Sequence, residues 1–438
     1  MQNVDTLIVA AQVLPIEPEG VVLTDHAVAI SGGKIVALAP AAQALATYSA
    51  KSVVRLDRHV LMPGLVNLHC HAAMTLMRGL ADDLPLMAWL QDRVWPVEGK
   101  HVGDDFVHDG SLIAAAEMLR GGITCVNDMY FFPGATARAM LRAGMRATLG
   151  IIAIEFPSAY AADAAGYLAK GLATREAYLG ESTLSFCLAP HAPYTVGDET
   201  LRKIATLAEE LDVPIHMHVH ETRDEIAQEV ERHKVRPLWR LRGLGLVSPR
   251  LIAVHAVHLD DSELDLLARE GASVAHCPAS NLKLASGIAP VAAMLARGIN
   301  VGVGTDGAAS NNRLDLFSEM RLASLLAKGA SGEARVLDAH ATLRMATLGG
   351  ARALGLDNAI GSLLPGKWAD LTAVELSSLE TLPCFDAASH IAYVAGREHV
   401  SHVWVGGEAR VTEGELIGID VATLKEKALW WKQRIVQA

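Results

Sequence analysis

Between about residue 62 and residue 345 the chain repeats one local pattern eight times: a short, apolar, β-branched run, then a longer segment of helical periodicity. The strand-like runs are GLVNLHCH, ITCVNDM, RATLGII, LSFCLAPH, PIHMHVH, LIAVHAV, SVAHCPAS and INVGVGTDG. Helical patterns such as DGSLIAAAEMLRGG, DETLRKIATLAEEL, DSELDLLAREG and VAAMLARG lie between them, most ending at a glycine or a polar cap. Eight strand–helix units over roughly 250 to 300 residues predict a (β/α)8 TIM barrel. A doubly wound sheet is the alternative; the number of units and the placement of polar residues favour the barrel.

The flanks read differently. Residues 1–60 hold DTLIVAAQVLP, HAVAISGGKIVALAP and KSVVRLD, and residues 364–417 hold LPGKWADLTAVEL and VSHVWVGGEARVTEGEL, all strands broken by turns. Neither end has enough strands to bury a core alone, so the two are expected to join in one small β-sandwich. The expected organisation is a first part of the sandwich at 1–60, a catalytic barrel at 61–363, and the rest of the sandwich with a terminal helix at 364–438. In that helix, LKEKALWWKQRIV, Trp430 and Trp431 are expected to be packing residues.

Composition narrows the function. The 438 residues carry 38 Lys and Arg against 49 Asp and Glu, a formal net charge of −11 without a basic patch. Nucleic acid and anionic membrane surfaces are disfavoured as partners. Although 51% of residues are hydrophobic, every apolar run is broken well short of a membrane span. The start, MQNVDTLIVAAQVLP, has an acid where an export signal would have a basic region, so a cytoplasmic protein is expected. Five scattered cysteines without Cys-x-x-Cys spacing are expected to be reduced thiols in the core.

In a barrel the C-terminal strand ends build the active site, and the unusual polar residues collect there. His69 and His71 close the first strand, His191 the fourth, His218 with Glu221 the fifth, His255 the sixth and Asp306 the eighth. His69 and His71, two apart on a strand, point to one face. Two convergent imidazoles suggest a metal, although a hydrogen-bonded structural pair has the same spacing. Three imidazoles and one carboxylate suit Zn²⁺ with a position left for water, and His69, His71, His218 and Asp306 are assigned as ligands. IHMHVHET offers three same-face candidates, His216, His218 and His220, and spacing does not choose among them. His216, deeper in the strand, reads as a neutral core histidine. LSFCLAPH lacks the bridging Lys or Glu that a binuclear site would need, so one metal is expected.

Zinc lowers the pKa of its water toward ~7, and what remains to be supplied is proton traffic. Glu221, on the turn after the fifth strand, either serves that need or stabilises the start of the helix in ETRDEIAQEVERH. His255 and Asp306 are placed to hold and deprotonate the water. His258 and His276 receive no role.

These residues sit in LMPGLVNLHCHAAMTLMRGLADD, APHAPYT, IHMHVHET, VHAVHLDD, HCPASNLKLASGIAPV, VGVGTDGAASNNRLDLFSEMR and GSLLPGKWADL, in order along nearly the whole chain. Together they resemble the amidohydrolase superfamily and, within it, the methylthioadenosine/S-adenosylhomocysteine deaminases. The resemblance implies one Zn²⁺ per subunit on His69, His71, His218 and Asp306, choosing His218 because the ligand stands three residues before the glutamate. It implies proton transfer by Glu221 and His255, a ribose-hydroxyl acceptor at Glu98 in VWPVE and a nucleoside contact at His191.

Departures from the pattern matter. His220 stands where a small residue is usual, and the sixth strand reads Val254-His255-Ala256 in place of Ala-His-Cys. GIIAIEFPSAYA differs most, where arginines contacting a homocysteine carboxylate would be expected; Arg146 in AGMRATL is assigned as one retained contact. S-adenosylhomocysteine is thus a weaker candidate than a neutral 5′-alkylthio nucleoside. The expected reaction is hydrolytic deamination of 5′-methylthioadenosine to 5′-methylthioinosine and ammonia, with adenosine or S-adenosylhomocysteine as other substrates.

An apolar pocket for the 5′ group is expected from Met74, Met77, Leu86, Trp89 and Phe156. Rival readings are guanine or s-triazine hydrolysis on the same scaffold, and a non-catalytic metal-binding barrel, against which the complete ligand set and Glu221 speak. The His-x-Glu and Pro-Cys-x-x-Cys pattern of the other zinc deaminases is absent. A small purine nucleoside is the expected partner and a homo-oligomer the expected assembly.

Overall fold

The computed structural model describes residues 1–437 and contains two eight-stranded sheets. Four strands come first: β1 (Gln2–Val13), β2 (Leu23–Ser31), β3 (Lys34–Pro40) and β4 (Tyr48–Pro63). Each predicted barrel run then contains a strand: β5 (Leu65–Cys70), β6 (Ile123–Asp128), β7 (Arg146–Ala153), β8 (Leu184–Pro190), β9 (Ile215–Val219), β10 (Leu251–His255), β11 (Ser273–His276) and β12 (Asn300–Val303). They lie side by side in chain order and pair in parallel. Every residue of β5, β6, β7, β9, β10 and β11 is buried, because helices cover one face of a barrel and packed side chains the other. Their Val, Ile, Leu and Ala content meets that demand.

The barrel closes where the chain beyond β12 meets β5. The Asp306 N–H donates to His69 O at 3.0 Å, and the Thr305 N–H to Asn67 Oδ1 at 2.9 Å. Gly304 allows this approach, since a Cβ there would lie 2.8 Å from the His69 nitrogen. Helices occupy the predicted intervals. One, Asp261–Glu270, starts at Asp260, whose side chain accepts the Glu263 N–H while Glu263 accepts the Asp260 N–H. It ends at Gly271 with φ 71°. No helix among the described residues is long and apolar enough to cross a membrane.

The second sheet adds β13 (Leu371–Glu375), β14 (Val400–Val405), β15 (Glu408–Thr412) and β16 (Glu415–Leu416), in the order β16-β15-β14-β13-β4-β1-β2-β3. Antiparallel pairing of β13 with β4 joins the two ends of the chain. The sheet curls on itself. At the β2–β3 turn Gly33 O accepts the Ala369 N–H at 2.9 Å, and Ala369 O accepts the Gly407 N–H from the β14–β15 turn at 2.9 Å. Ile8, Val28, Ile30, Leu56, Leu61 and Trp404 belong to the core it encloses. The terminal helix, Val421–Val436, returns to the barrel: Trp431 is buried against Phe106, its Nε1–H donating to Asp109 Oδ2 at 3.2 Å. Trp430 is half exposed beneath Arg434.

Arg146 corrects one expectation. It opens β7 at the N-terminal end of the barrel, opposite the rim where the other site residues gather. Its guanidinium donates to Asp370 at 2.8 and 3.2 Å and to Ser182 O at 2.9 Å. The two side chains are 6% and 2% exposed. Arg146 therefore ties the barrel to the curled sheet and does not reach a substrate. Breaking a buried pair from one side leaves an uncompensated charge. Arg146→Met is expected to lower stability to denaturant by about 3 to 5 kcal/mol while leaving the Michaelis constant of the folded enzyme unchanged. Denaturant unfolding and steady-state kinetics on one preparation check both halves.

Candidate active site

The ends of β5, β9 and β10 and the turn after β12 converge on one buried spot. His69 Nε2 lies 3.3 Å from His218 Nε2, and Asp306 Oδ1 lies 3.2 Å from His69 Nε2 and 3.3 Å from His71 Nε2. The opposite ring nitrogens are engaged elsewhere. His71 Nδ1–H donates to Met129 O at 2.6 Å, His218 Nδ1–H to His191 O at 2.8 Å, and His69 Nδ1 meets His216 Nε2 at 2.9 Å. The Nε2 atoms are thereby the ones aimed at the shared space.

Asp306 is oriented just as fully. Its Oδ2 accepts from the Ser280 and Ser310 hydroxyls at 2.5 and 2.8 Å, and Oδ1 from the Gly307 N–H at 2.7 Å. Its backbone (φ 61°) and that of His255 (φ 70°) are left-handed, a strained conformation that over-determined functional sites tolerate.

The donor atoms fall into two overlapping groups, His69 with His71 and Asp306, and His69 with His218 and His255, each within 4.8 Å, and the first is a His/His/Asp set that fits a divalent cation. Donors about 3.3 Å apart are what ligands some 2.0 to 2.2 Å from one common ion span. Burial pushes the His69 imidazole down to about 4 and that of His218 well below its usual range, so both rings are neutral near pH 7. Burial alone would raise the Asp306 carboxyl, but the His69 hydrogen bond and the imidazoles of His69, His71 and His255 hold it well below the usual carboxylate range.

His255 stacks on His218 with ring centroids 5.5 Å apart. Its Nδ1 meets Asn281 Oδ1 at 2.8 Å, and its Nε2 lies 3.7 Å from Glu221 Oε2. Glu221 stands next to the N-cap of the following helix, Thr222, whose hydroxyl accepts the Glu225 N–H at 3.2 Å, and it faces His255 from that position. The Glu221 N–H donates to Glu225 Oε2 at 2.8 Å, and the adjacent His220 N–H to Oε1 at 3.0 Å. That carboxylate clasp shapes the turn that points Glu221 at His255.

A cavity of about 320 Å³ opens above this centre. Glu98 and His191 both line it, as do Met74, Leu86, Trp89 and Phe156; Met77 is buried outside it. Glu98 Oε1 accepts from the Tyr130 hydroxyl at 2.7 Å. No lysine or arginine is among the lining residues. The three histidines of IHMHVHET separate by depth: His218 faces the centre, His216 supports His69 from below, and His220 turns away to accept from the Leu238 N–H at 3.2 Å. His276 is buried beyond the donor set, and His258 bonds Ser286 O at 2.7 Å. Sequence reasoning passes over Tyr130, Tyr194, Ser280, Asn281 and Ser310. Their signal is position, a few residues beyond the C-terminal end of a barrel strand.

An eight-stranded parallel barrel with such a donor set and a second carboxyl at its edge defines a metal-dependent hydrolase. The Amidohydrolase family profile matches residues 60–410. Two 5-methylthioadenosine/S-adenosylhomocysteine deaminases are similar end to end. That of Teredinibacter turnerae is 43% identical over 433 residues, covering 99% of this chain and 98% of the relative. That of Saccharophagus degradans is 44% identical over 431 residues, covering 98% and 97%. Among solved structures, an adenosine deaminase from Xanthomonas campestris with bound zinc is 49% identical, covers 100% of both chains and superposes with a TM-score of 0.99. The chain belongs to the amidohydrolase family, and it is a hydrolytic deaminase.

Proposed function

We propose that the enzyme deaminates the adenine ring of 5′-methylthioadenosine, giving 5′-methylthioinosine and ammonia. One observation carries the choice of substrate: besides Glu221 and Asp306, which belong to the metal-facing centre, the cavity presents one further carboxylate, Glu98, on an otherwise largely apolar wall without a lysine or arginine. A carboxylate suits a vicinal ribose diol, and Leu86, Trp89 and Phe156 suit a methylthio group. The charged homocysteine tail of S-adenosylhomocysteine would be desolvated there with nothing to pair its carboxylate.

The cation is zinc, which His69, His71, His218 and Asp306 would hold; bound there, it would make water acidic enough to act as a nucleophile near neutral pH. Asp306 and His255 are placed to take a proton from the attacking water. Glu221 carries a proton to the ring nitrogen beside C6 as the C6–O bond forms; the proton taken up by Asp306 and His255 then passes to the exocyclic amino group, whose bond to C6 breaks, and ammonia leaves. His191 and Glu98 hold the nucleoside in register with these groups.

Burying a methylthio group in place of a hydroxyl is worth roughly 1 to 2 kcal/mol. The methylthio nucleoside is therefore expected to surpass adenosine in kcat/KM by about tenfold, and to surpass S-adenosylhomocysteine because of that substrate's charged tail. Loss of adenine absorbance with those three substrates and free adenine, in parallel, tests this. S-adenosylhomocysteine turning over as well as 5′-methylthioadenosine removes the apolar-pocket argument, and free adenine matching the nucleosides removes the nucleoside reading altogether.

A further inference from the structure

Glu98 stands on Trp95–His101, the last stretch of a continuous helical run that begins at Leu86 and passes through a π-helical turn at Leu90–Val94. The segment carrying that helix leaves the barrel rim after Met77 and rejoins it at the helix Asp104–Arg120. Trp89 and Val94 anchor the earlier part of the helical run in the core, but no residue of Trp95–His101 is itself buried, so backbone packing there does not fix the Glu98 carboxylate to the fraction of an ångström that recognition of a diol demands. Tyr130 supplies the missing constraint. It lies two residues beyond β6, is 4% exposed, and its hydroxyl donates to Glu98 Oε1 at 2.7 Å.

The neighbouring residue is anchored on both sides: the Met129 N–H donates to Cys70 O at 2.9 Å, and Met129 O accepts from His71 Nδ1. One dipeptide, Met129-Tyr130, thus holds a metal-facing imidazole and the cavity carboxylate at once. Glu98 Oε2 has no hydrogen-bond partner among the described residues, and Glu98 lines the cavity.

We propose that Tyr130 is the positioning residue for sugar recognition: its hydroxyl takes one oxygen of Glu98 and thereby presents the other to the ribose diol. This rests on the reading of the substrate as an adenine nucleoside. A carboxylate tethered at one oxygen cannot swing, so its remaining lone pairs meet two adjacent hydroxyls in one geometry. Burial pushes the Glu98 carboxyl up to about 7, and the Tyr130 hydrogen bond opposes that rise, favouring the ionised acceptor.

Tyr130→Phe deletes one oxygen and keeps the ring against Phe131 and His71. The probes are adenosine and 2′,3′-dideoxyadenosine, compared by kcat/KM in wild type, Tyr130→Phe, Glu98→Gln and the double variant. Tyr130→Phe is expected to cut the preference for adenosine by about tenfold or more, the value of a hydrogen bond to a charged group. The loss should enter through KM with kcat nearly unchanged, and the double variant should lose no more than Glu98→Gln alone.

An unchanged preference in Tyr130→Phe, beside a lost one in Glu98→Gln, overturns the proposal alone. Additive losses in the double variant, or equal losses on both probes in Tyr130→Phe, overturn it as well. If Glu98→Gln itself keeps the preference, the ribose-acceptor reading falls and this proposal with it.

Discussion

Asp306→Ala is expected to yield a folded protein that retains little metal and has lost turnover by on the order of 10³-fold or more. The side chain faces both His69 and His71 and is the only carboxylate in the donor set. Removing it deletes a metal ligand and a proton acceptor together. Lewis-acid stabilisation is worth several kcal/mol, and each ~1.4 kcal/mol is a tenfold change in rate. The Ser280 and Ser310 hydroxyls would lose their acceptor as well, so some loss of stability should accompany the loss of metal. Elemental analysis of protein purified without added metal, alongside kinetics, decides the matter. Wild type should bind one equivalent. Two equivalents that are both required for activity would replace the single-metal site with a binuclear one.

Glu221→Gln should separate proton transfer from ligation. The amide keeps the shape and can still donate a hydrogen bond, but it cannot exchange a proton, so turnover is expected to fall by ~10²-fold or more. Metal content should stay at the wild-type level, because Glu221 is not one of the four assigned donors. The fold should also survive, since the Glu225 clasp grips the Glu221 backbone and not its side chain. His255→Ala is expected to behave in the same way with a small effect on metal content. Wild-type turnover in Glu221→Gln would leave that residue with nothing beyond its place on the turn.

Strands β5 to β12 are legible in the sequence because burial on both faces imposes a local composition, and each run is short and mostly apolar, its polar residues aside. The metal-facing residues are legible for a related reason: polar side chains ending apolar strands have few places to go except a shared rim. Arg146 breaks that rule. It stands on a barrel strand, but as the strand's first residue it lies at the opposite end of the barrel. Its partner, Asp370, is 224 residues away in sequence.

The sequence by itself determined the barrel, the pairing of the two chain ends and the set of residues at the rim, because periodicity, composition and strand-end position are properties of short stretches. The tertiary structure alone decided which side chains in that set meet, and through which atom. His216, His218 and His220 share a strand face, yet depth in the barrel makes one a support and one a metal-facing donor, while the turn sends the third away. Thr222, and not Glu221, caps the following helix, which leaves Glu221 beside His255. Tyr130 meets Glu98 only because a segment that leaves the barrel folds back over its rim. Such contacts depend on the three-dimensional course of distant segments, and no local pattern encodes that course.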